Sequence, residues 1–155
     1  MPLVILDPAS WSQLEQVQHR LNEEVRYVAP PRFTDFWEPA RKTGDCKQIA
    51  LAKRERLMEM GWPPEALRMA TVVDEKDELH AVLTVDVTMM NGLRGTYVLD
   101  NRFTEVQPWQ ELTHIGYSWL QRAVPGQVAW TYIGQMLHSA QALLTVKTPA
   151  DTATV

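Results

Sequence analysis

The hydrophobic periodicity of the chain changes at Pro63-Pro64, and this change constrains the fold more than any other feature of the sequence. Before the two prolines, apolar residues recur every three or four positions over residues 11–25 and again over residues 46–60, which predicts two amphipathic helices. After them come segments rich in β-branched and aliphatic residues, at 67–73, 79–87 and 96–99. Two helices followed by three antiparallel strands predict an α+β domain.

The length of 155 residues predicts one domain, since a typical domain has roughly 150. We assign residues 1–145 to it. Residues 146–155 carry few large apolar side chains, which predicts a frayed C-terminal tail. Residues 106–119 show only a loose helical spacing, interrupted by Gly116, and residues 128–133 could form one more strand before a short helix.

The charge pattern argues against two classes of partner. Nineteen acidic and fifteen basic side chains give a net charge of -4, and no basic cluster suggests contact with phosphate backbones, so no nucleic-acid partner is expected. No apolar stretch approaches the roughly 18 residues of a membrane span, so no membrane insertion is expected. No export signal is visible, which indicates a cytoplasmic protein, or a periplasmic one if a leader was removed.

The single cysteine, Cys46, stands at the predicted start of the second helix. Backbone NH groups and the positive end of the helix dipole meet there, and both favour a thiolate over a thiol. Most free cysteines are simply small buried side chains, so this position alone does not establish a nucleophile.

Two further residues complete a pattern typical of cysteine acyl-transfer chemistry. His80 lies inside the second predicted strand, and Asp100 follows the third. Their separation of twenty residues is even, so both side chains are expected on one face of the sheet. They would lie directly opposite each other if the hairpin loop were centred on Met90. A nucleophile, a base and a carboxylate that orients the base would then meet.

These residues resemble the bacterial transglutaminase-like cysteine proteinases, the family that includes the LapG-type proteases. The resemblance covers roughly residues 22–119. Its five segments are Asn22-x-x-Val25-x-Tyr27, Asp35-x-Trp37-x-Pro39, Gly44-Asp45-Cys46 with Ala50 and Lys53, His80-Ala81-Val82-Leu83, and Val98-Leu99-Asp100-Asn101.

The resemblance implies a transglutaminase-like, papain-like core in which the helix that carries the nucleophile packs on an antiparallel sheet. It implies that Cys46 is the nucleophile, that His80 is the general base and then acid, and that Asp100 holds the imidazole. Trp37 and Asn22 could line the substrate or oxyanion site, but packing or a helix-to-loop contact explains each equally well.

The implied activity is that of a cysteine endopeptidase, which cleaves a protein or peptide substrate through a thioester. Two alternatives remain open. An amine could resolve the thioester, or a non-peptide amide could be the substrate, as in a transglutaminase or an amidase. The domain could also be a catalytically silent protein-binding module, although the presence of all three triad residues argues against this.

The resemblance also raises the question of calcium. LapG-type members depend on calcium, and their motif typically reads Gly-Asp-Cys-Glu-Asp. Here Lys47 and Gln48 replace the two carboxylates that follow the cysteine. Calcium prefers six to eight oxygen ligands, and an ammonium group repels it. We therefore expect no cofactor and no calcium at this site, and we expect Lys47 either to pair with Asp45 or to point into solvent.

The remaining polar clusters are predicted to carry no chemistry. His19, His114 and His138 have no apparent partner at a metal-ligand spacing, so no metal site is predicted. The charged run at residues 74–78 is typical of a solvated hairpin turn.

Overall fold

A computed structural model describes residues 4–29, 38–123 and 125. The predicted strand and helix expected within residues 128–144 and the predicted tail lie outside these residues. The described elements, in chain order, are β1 (Val4–Leu6), α1 (Pro8–Glu24), β2 (Arg26–Tyr27), β3 (Thr43–Gly44), α2 (Cys46–Glu59), a 3-10 turn (Pro64–Ala66), β4 (Leu67–Val73), β5 (Leu79–Met89), β6 (Arg94–Leu99), β7 (Gln107–Pro108), α3 (Trp109–Ile115) and β8 (Ser118–Arg122).

The main sheet has the strand order β7-β6-β5-β4-β8, with antiparallel neighbours. Strand β5 is the longest, and its last three residues pair with β1 in parallel, beyond the point where its pairing with β4 ends. A separate pair of short parallel strands, β2 and β3, leads into α2. The predicted α+β class and the three predicted strands are therefore confirmed, and β8 falls partly in the segment whose class the sequence left uncertain.

The sheet is covered on both faces because side chains alternate along its strands. Helices α1 and α2 contribute Leu14, Leu21 and Ile49 to the larger core, where they meet Leu83 and Val85 of β5. A smaller core contains residues of α3, of β8 and of the turn between them, namely Trp109, Leu112, Tyr117 and Trp119. They pack with Val82 of β5 and Val98 of β6.

The β5–β6 hairpin corrects the predicted register. Leu83 pairs with Leu99, whereas a loop centred on Met90 would have paired Leu83 with Tyr97. The turn instead follows the Asn91-Gly92 signal, and Gly92 adopts a positive φ of 90°. The slip of two residues is even, so it keeps each side chain on its predicted face.

No helix within the described residues is long and apolar enough to span a bilayer.

Candidate active site

The first turn of α2 is organised by contacts that are local in sequence. Asp45 is the N-cap, and its Oδ1 accepts a hydrogen bond from the Gln48 backbone NH at 3.0 Å. The Gln48 side chain closes a capping box, because its Oε1 accepts from the Asp45 NH, also at 3.0 Å. This arrangement begins the helix at Cys46, as predicted, and leaves the thiol partly exposed.

Gly44 precedes this turn because no side chain fits at its position. A Cβ there would lie 2.7 Å from the Cβ of Ala40 and 3.1 Å from that of Gln48. The close approach of the chain before α2 therefore requires a glycine for reasons of space.

Lys47 is buried beside the thiol-bearing residue and forms an ion pair with Asp45 Oδ2. Of the two expected arrangements for Lys47, the pairing with Asp45 is confirmed and the solvent-facing one is wrong. Both carboxylate oxygens of Asp45 are therefore already engaged, Oδ1 by the backbone of α2 and Oδ2 by an ammonium group.

His80 and Asp100 meet as the sequence predicts, although they are diagonal neighbours and not directly opposite. His80 Nε2 lies 2.8 Å from Asp100 Oδ1, and both side chains are buried. Burial by itself disfavours a charged imidazole, but hydrogen bonds to Asp100 and to Cys46 outweigh it and raise the pKa of His80 to about 10. The structure thus brings the three residues Cys46, His80 and Asp100 together.

The Asp100 carboxylate has two further hydrogen-bond donors that no sequence pattern predicted. The Tyr117 hydroxyl donates to Oδ2 at 2.6 Å, and the Arg102 backbone NH donates to Oδ1 at 2.9 Å. Burial opposes the charge of the carboxylate, yet the bonds from His80, Tyr117 and Arg102 hold the pKa of Asp100 below its ordinary value. The Tyr117 ring also packs edge-on against the His80 ring, with centroids 6.2 Å apart.

The acidic turn between β4 and β5 is exposed at residues 75–78, as predicted, but Asp74 is buried. Glu75 forms two hydrogen bonds of 2.7 Å with the Arg102 guanidinium, and Asp74 is buried 3.4 Å from it. Arg102 also donates to the Tyr117 hydroxyl at 3.0 Å. The prediction of a hairpin turn is confirmed, and the turn also supports the chain that follows Asp100 through Arg102.

The two remaining candidate residues differ in what can be said of them. Asn22 lies on α1, and its side-chain NH₂ donates to the Phe103 carbonyl at 2.9 Å, which is the contact of a helix-to-loop tie. Trp37 lies outside the described residues.

Within the described residues, a cluster that could hold a metal ion was not predicted from the sequence. Glu15, His19 and Glu105 place ligand atoms within 4.8 Å of one another. Glu15 and His19 are one helical turn apart, a spacing that is visible in the sequence. The prediction that His19 has no partner at a metal-ligand spacing is therefore wrong. Glu105 is exposed and His19 is half-buried, and His19 lies 3.3 Å and 3.5 Å from the two carboxylates. Ion pairing explains this arrangement without a metal.

Comparisons with known proteins found a matching family model and similar solved structures. Residues 2–137 match the family model described as bacterial transglutaminase-like cysteine proteinase. No curated protein sequence matches the chain.

Solved structures of Legionella pneumophila LapG share the fold. The EGTA-treated form has a TM-score of 0.61 at 20% identity and covers 72% of this chain, and the chain spans 62% of that protein. The calcium-bound form has a TM-score of 0.63 at 18% identity, with 84% and 81% of the two chains covered. A third LapG structure gives 0.63 at 17% identity, with 85% and 77% covered.

Proposed function

Because the chain belongs to the bacterial transglutaminase-like cysteine proteinase family and is therefore a cysteine peptidase of that type, we propose that it cleaves a protein substrate with a Cys46–His80–Asp100 triad. The observation that carries this proposal is the buried 2.8 Å contact between His80 and Asp100, beside a thiol on the first turn of a helix.

The proposed reaction starts from a thiolate–imidazolium pair. A pKa of about 10 keeps His80 protonated at neutral pH, and the imidazolium charge stabilises the Cys46 thiolate. The thiolate attacks the carbonyl carbon of a peptide bond and forms a tetrahedral oxyanion. The Cys46 backbone NH on the first helical turn has no partner within the helix, so it can donate to that oxyanion.

Collapse of this intermediate breaks the C–N bond. His80 donates its proton to the leaving amine, and a thioester remains on Cys46. The neutral imidazole then removes a proton from water, which attacks the thioester and releases a carboxylic acid and the free thiolate. Since Asp100 engages Nε2, the other ring nitrogen, Nδ1, is left to exchange protons with the sulfur, the amine and the water.

The test compares the wild-type protein with Cys46→Ser on a bacterial protein extract, followed by mass spectrometry of new protein N-termini. We expect discrete new N-termini with the wild type. None of them should appear with Cys46→Ser or with His80→Ala. The same cleavages with Cys46→Ser would overturn the proposal.

A fluorescent primary amine added to the same reaction separates the neighbouring activities. Hydrolysis predicts new N-termini without transfer of the dye, whereas covalent dye on substrate proteins would identify an amine transferase. Stable capture of one protein by both the wild type and Cys46→Ser, without cleavage, would identify a binding module.

The calcium-bound LapG structure raises the same question for this chain. The residues around Cys46 do not fit a calcium site, because both Asp45 oxygens are engaged and the Lys47 ammonium occupies the adjacent position. Gln48 Oε1 is likewise used in the capping box. We propose that calcium does not bind at this turn and that the Lys47 charge stabilises the Asp45 carboxylate instead.

A further inference from the structure

Lys53 is a completely buried lysine on α2, about two turns beyond Cys46. A lysine is rarely buried without a partner, because removing its charge from water is costly. Its Nζ donates to the Gln18 side-chain oxygen at 2.7 Å, and Gln18 on α1 is also completely buried. The proposed mechanism uses neither residue.

The Gln18 amide connects Lys53 to the backbone around Asp100. Its Nε2 donates to the carbonyls of Asp100 at 2.9 Å and Phe103 at 2.8 Å, and it lies 3.4 Å from that of Glu105. These contacts lie along the loop that follows β6, and Asp100 is the first residue of that loop.

The chemistry of the three partners permits one orientation of this amide. An ammonium group only donates, so it must face the amide oxygen, and carbonyl oxygens only accept, so they must face the NH₂ group. Lys53 and the loop carbonyls therefore favour the same orientation of Gln18, and Lys53 anchors its amide oxygen from α2. Without the ammonium, the buried amide oxygen of Gln18 would lose its donor, and no contact from α2 would hold the amide against the loop carbonyls.

The electrostatics agree with this geometry. Burial lowers the pKa of Lys53 to about 7, while attraction to Asp100 opposes that shift. Lys53 thus lies close enough to Asp100 for the two charges to interact, although they are joined only through Gln18.

We infer that Lys53 and Gln18 are positioning residues, which together set the position of Asp100 and through it the orientation of His80. This inference rests on the proposed function, because it assigns the two residues a role in the same triad.

The test uses Lys53→Met, which keeps a long unbranched side chain and removes the ammonium. Arg54→Met is the matched control: Arg54 is the next residue on α2, is also buried, and donates to the Leu67 carbonyl away from the site. Two readouts are independent of the substrate, namely the rate of Cys46 alkylation by iodoacetamide and the pKa of His80 from NMR of the imidazole nitrogens.

We expect Lys53→Met to slow alkylation roughly tenfold and to move the His80 pKa from about 10 toward 6.5, by at least one unit. Arg54→Met should change neither readout, even if it lowers the melting temperature. Gln18→Glu keeps an acceptor for Lys53 but loses the donors to the loop, so it should behave like Lys53→Met. Combining Gln18→Met with Lys53→Met should cause no further loss, since the two act in one chain.

Unchanged alkylation and an unchanged His80 pKa in folded Lys53→Met would overturn the inference. So would failure of both Lys53→Met and Gln18→Met to fold, because the pair would then support the fold and not the carboxylate. Neither result would affect Cys46-dependent cleavage by the wild type, which is the test of the proposed function.

Discussion

The two halves of the candidate site are held in different ways. On α2, Asp45, Lys47 and Gln48 form the cap and the ion pair within four residues of the chain. On the sheet, His80 and Asp100 are joined across twenty residues, and the Asp100 loop is secured from α1 by Gln18.

This contrast has a physical consequence. The nucleophile half needs only a correctly started helix, so short-range contacts suffice to form it. The His80–Asp100 half needs the sheet, α1 and the β4–β5 turn to be in place, because its supports come from all three. We therefore expect changes in the supports of the sheet half to affect activity. Changes in the supports of the helix half, which exclude Cys46 itself, should affect mainly stability.

Asp100→Asn should have the largest effect. The amide keeps the shape but no longer stabilises an imidazolium, so the rate of Cys46-dependent cleavage should fall by about 10³–10⁴-fold. Cleavage rates per folded molecule, with folding checked by circular dichroism, measure this. A protein that unfolds while its remaining folded fraction cleaves at the normal rate would show that Asp100 is structural.

Tyr117→Phe should have the next largest effect. It removes the 2.6 Å donor to Asp100 Oδ2 and should slow cleavage about tenfold, with a stability loss of about 1–3 kcal/mol from the unpaired oxygen. Tyr97→Phe is the matched control, because the Tyr97 hydroxyl contacts only the Met89 sulfur at 3.9 Å among the contacts described. Equal rates for the two variants would show that the Tyr117 hydroxyl does not contribute to cleavage.

The sheet half should also give stability a characteristic pH dependence. The pKa of His80 is raised to about 10, so its contribution is complete below pH 6.5 and is lost as the pH rises through 10. Urea unfolding of the wild type and of His80→Gln between pH 6 and 10 measures this difference.

The difference between the two proteins should shrink as the pH rises. Comparing them also removes the opposite contribution of Lys53, whose lowered pKa makes stability rise over the same range. A difference that stays constant with pH would mean that His80 is neutral in the folded protein.

Asp45→Ala tests the helix half. It removes the N-cap, which costs about 1 kcal/mol, and leaves the buried Lys47 ammonium without its carboxylate. We expect a lower melting temperature with a cleavage rate per folded molecule within a few-fold of the wild type. Adding Lys47→Met should recover part of the lost stability. A loss of activity as large as that of Asp100→Asn would break the contrast between the halves.

The smallest expected effect is that of calcium. Isothermal titration calorimetry should give the same calcium titration for the wild type and for Asp45→Ala, because no calcium binds at this turn. EGTA should leave the cleavage rate unchanged. Micromolar binding that requires Asp45 would show that calcium displaces Lys47 from the carboxylate.

The sequence predicted the helix half of the site better than the sheet half. The start of α2 at Cys46 and one of the two options for Lys47 follow from neighbouring residues, which sequence patterns describe well. The pairing of His80 with Asp100 was also predicted, because an even separation preserves the sheet face despite the two-residue error in register.

The supports of Asp100 could not be predicted in the same way. Tyr117, Glu75 and Gln18 are 17, 25 and 82 residues away from Asp100, and only the packing of separate elements brings them near it. Nothing in the pattern around Tyr117 distinguishes it from the core aromatic residues beside it. Lys53 is a polar residue at an apolar position of the helical pattern over residues 46–60, but its partner Gln18 lies on another helix.

The Lys47–Asp45 pair has a consequence for how the site responds to its surroundings. The fraction of sites that hold a metal ion rises with the free concentration of the ion until the sites are saturated. A metal-dependent centre therefore follows changes in that concentration by mass action. A covalently attached ammonium has no such dissociation equilibrium: it is supplied in a fixed ratio of one to one and cannot be chelated, diluted or exchanged. The positive charge next to Cys46 is therefore part of every copy of the protein, because it belongs to the Lys47 side chain.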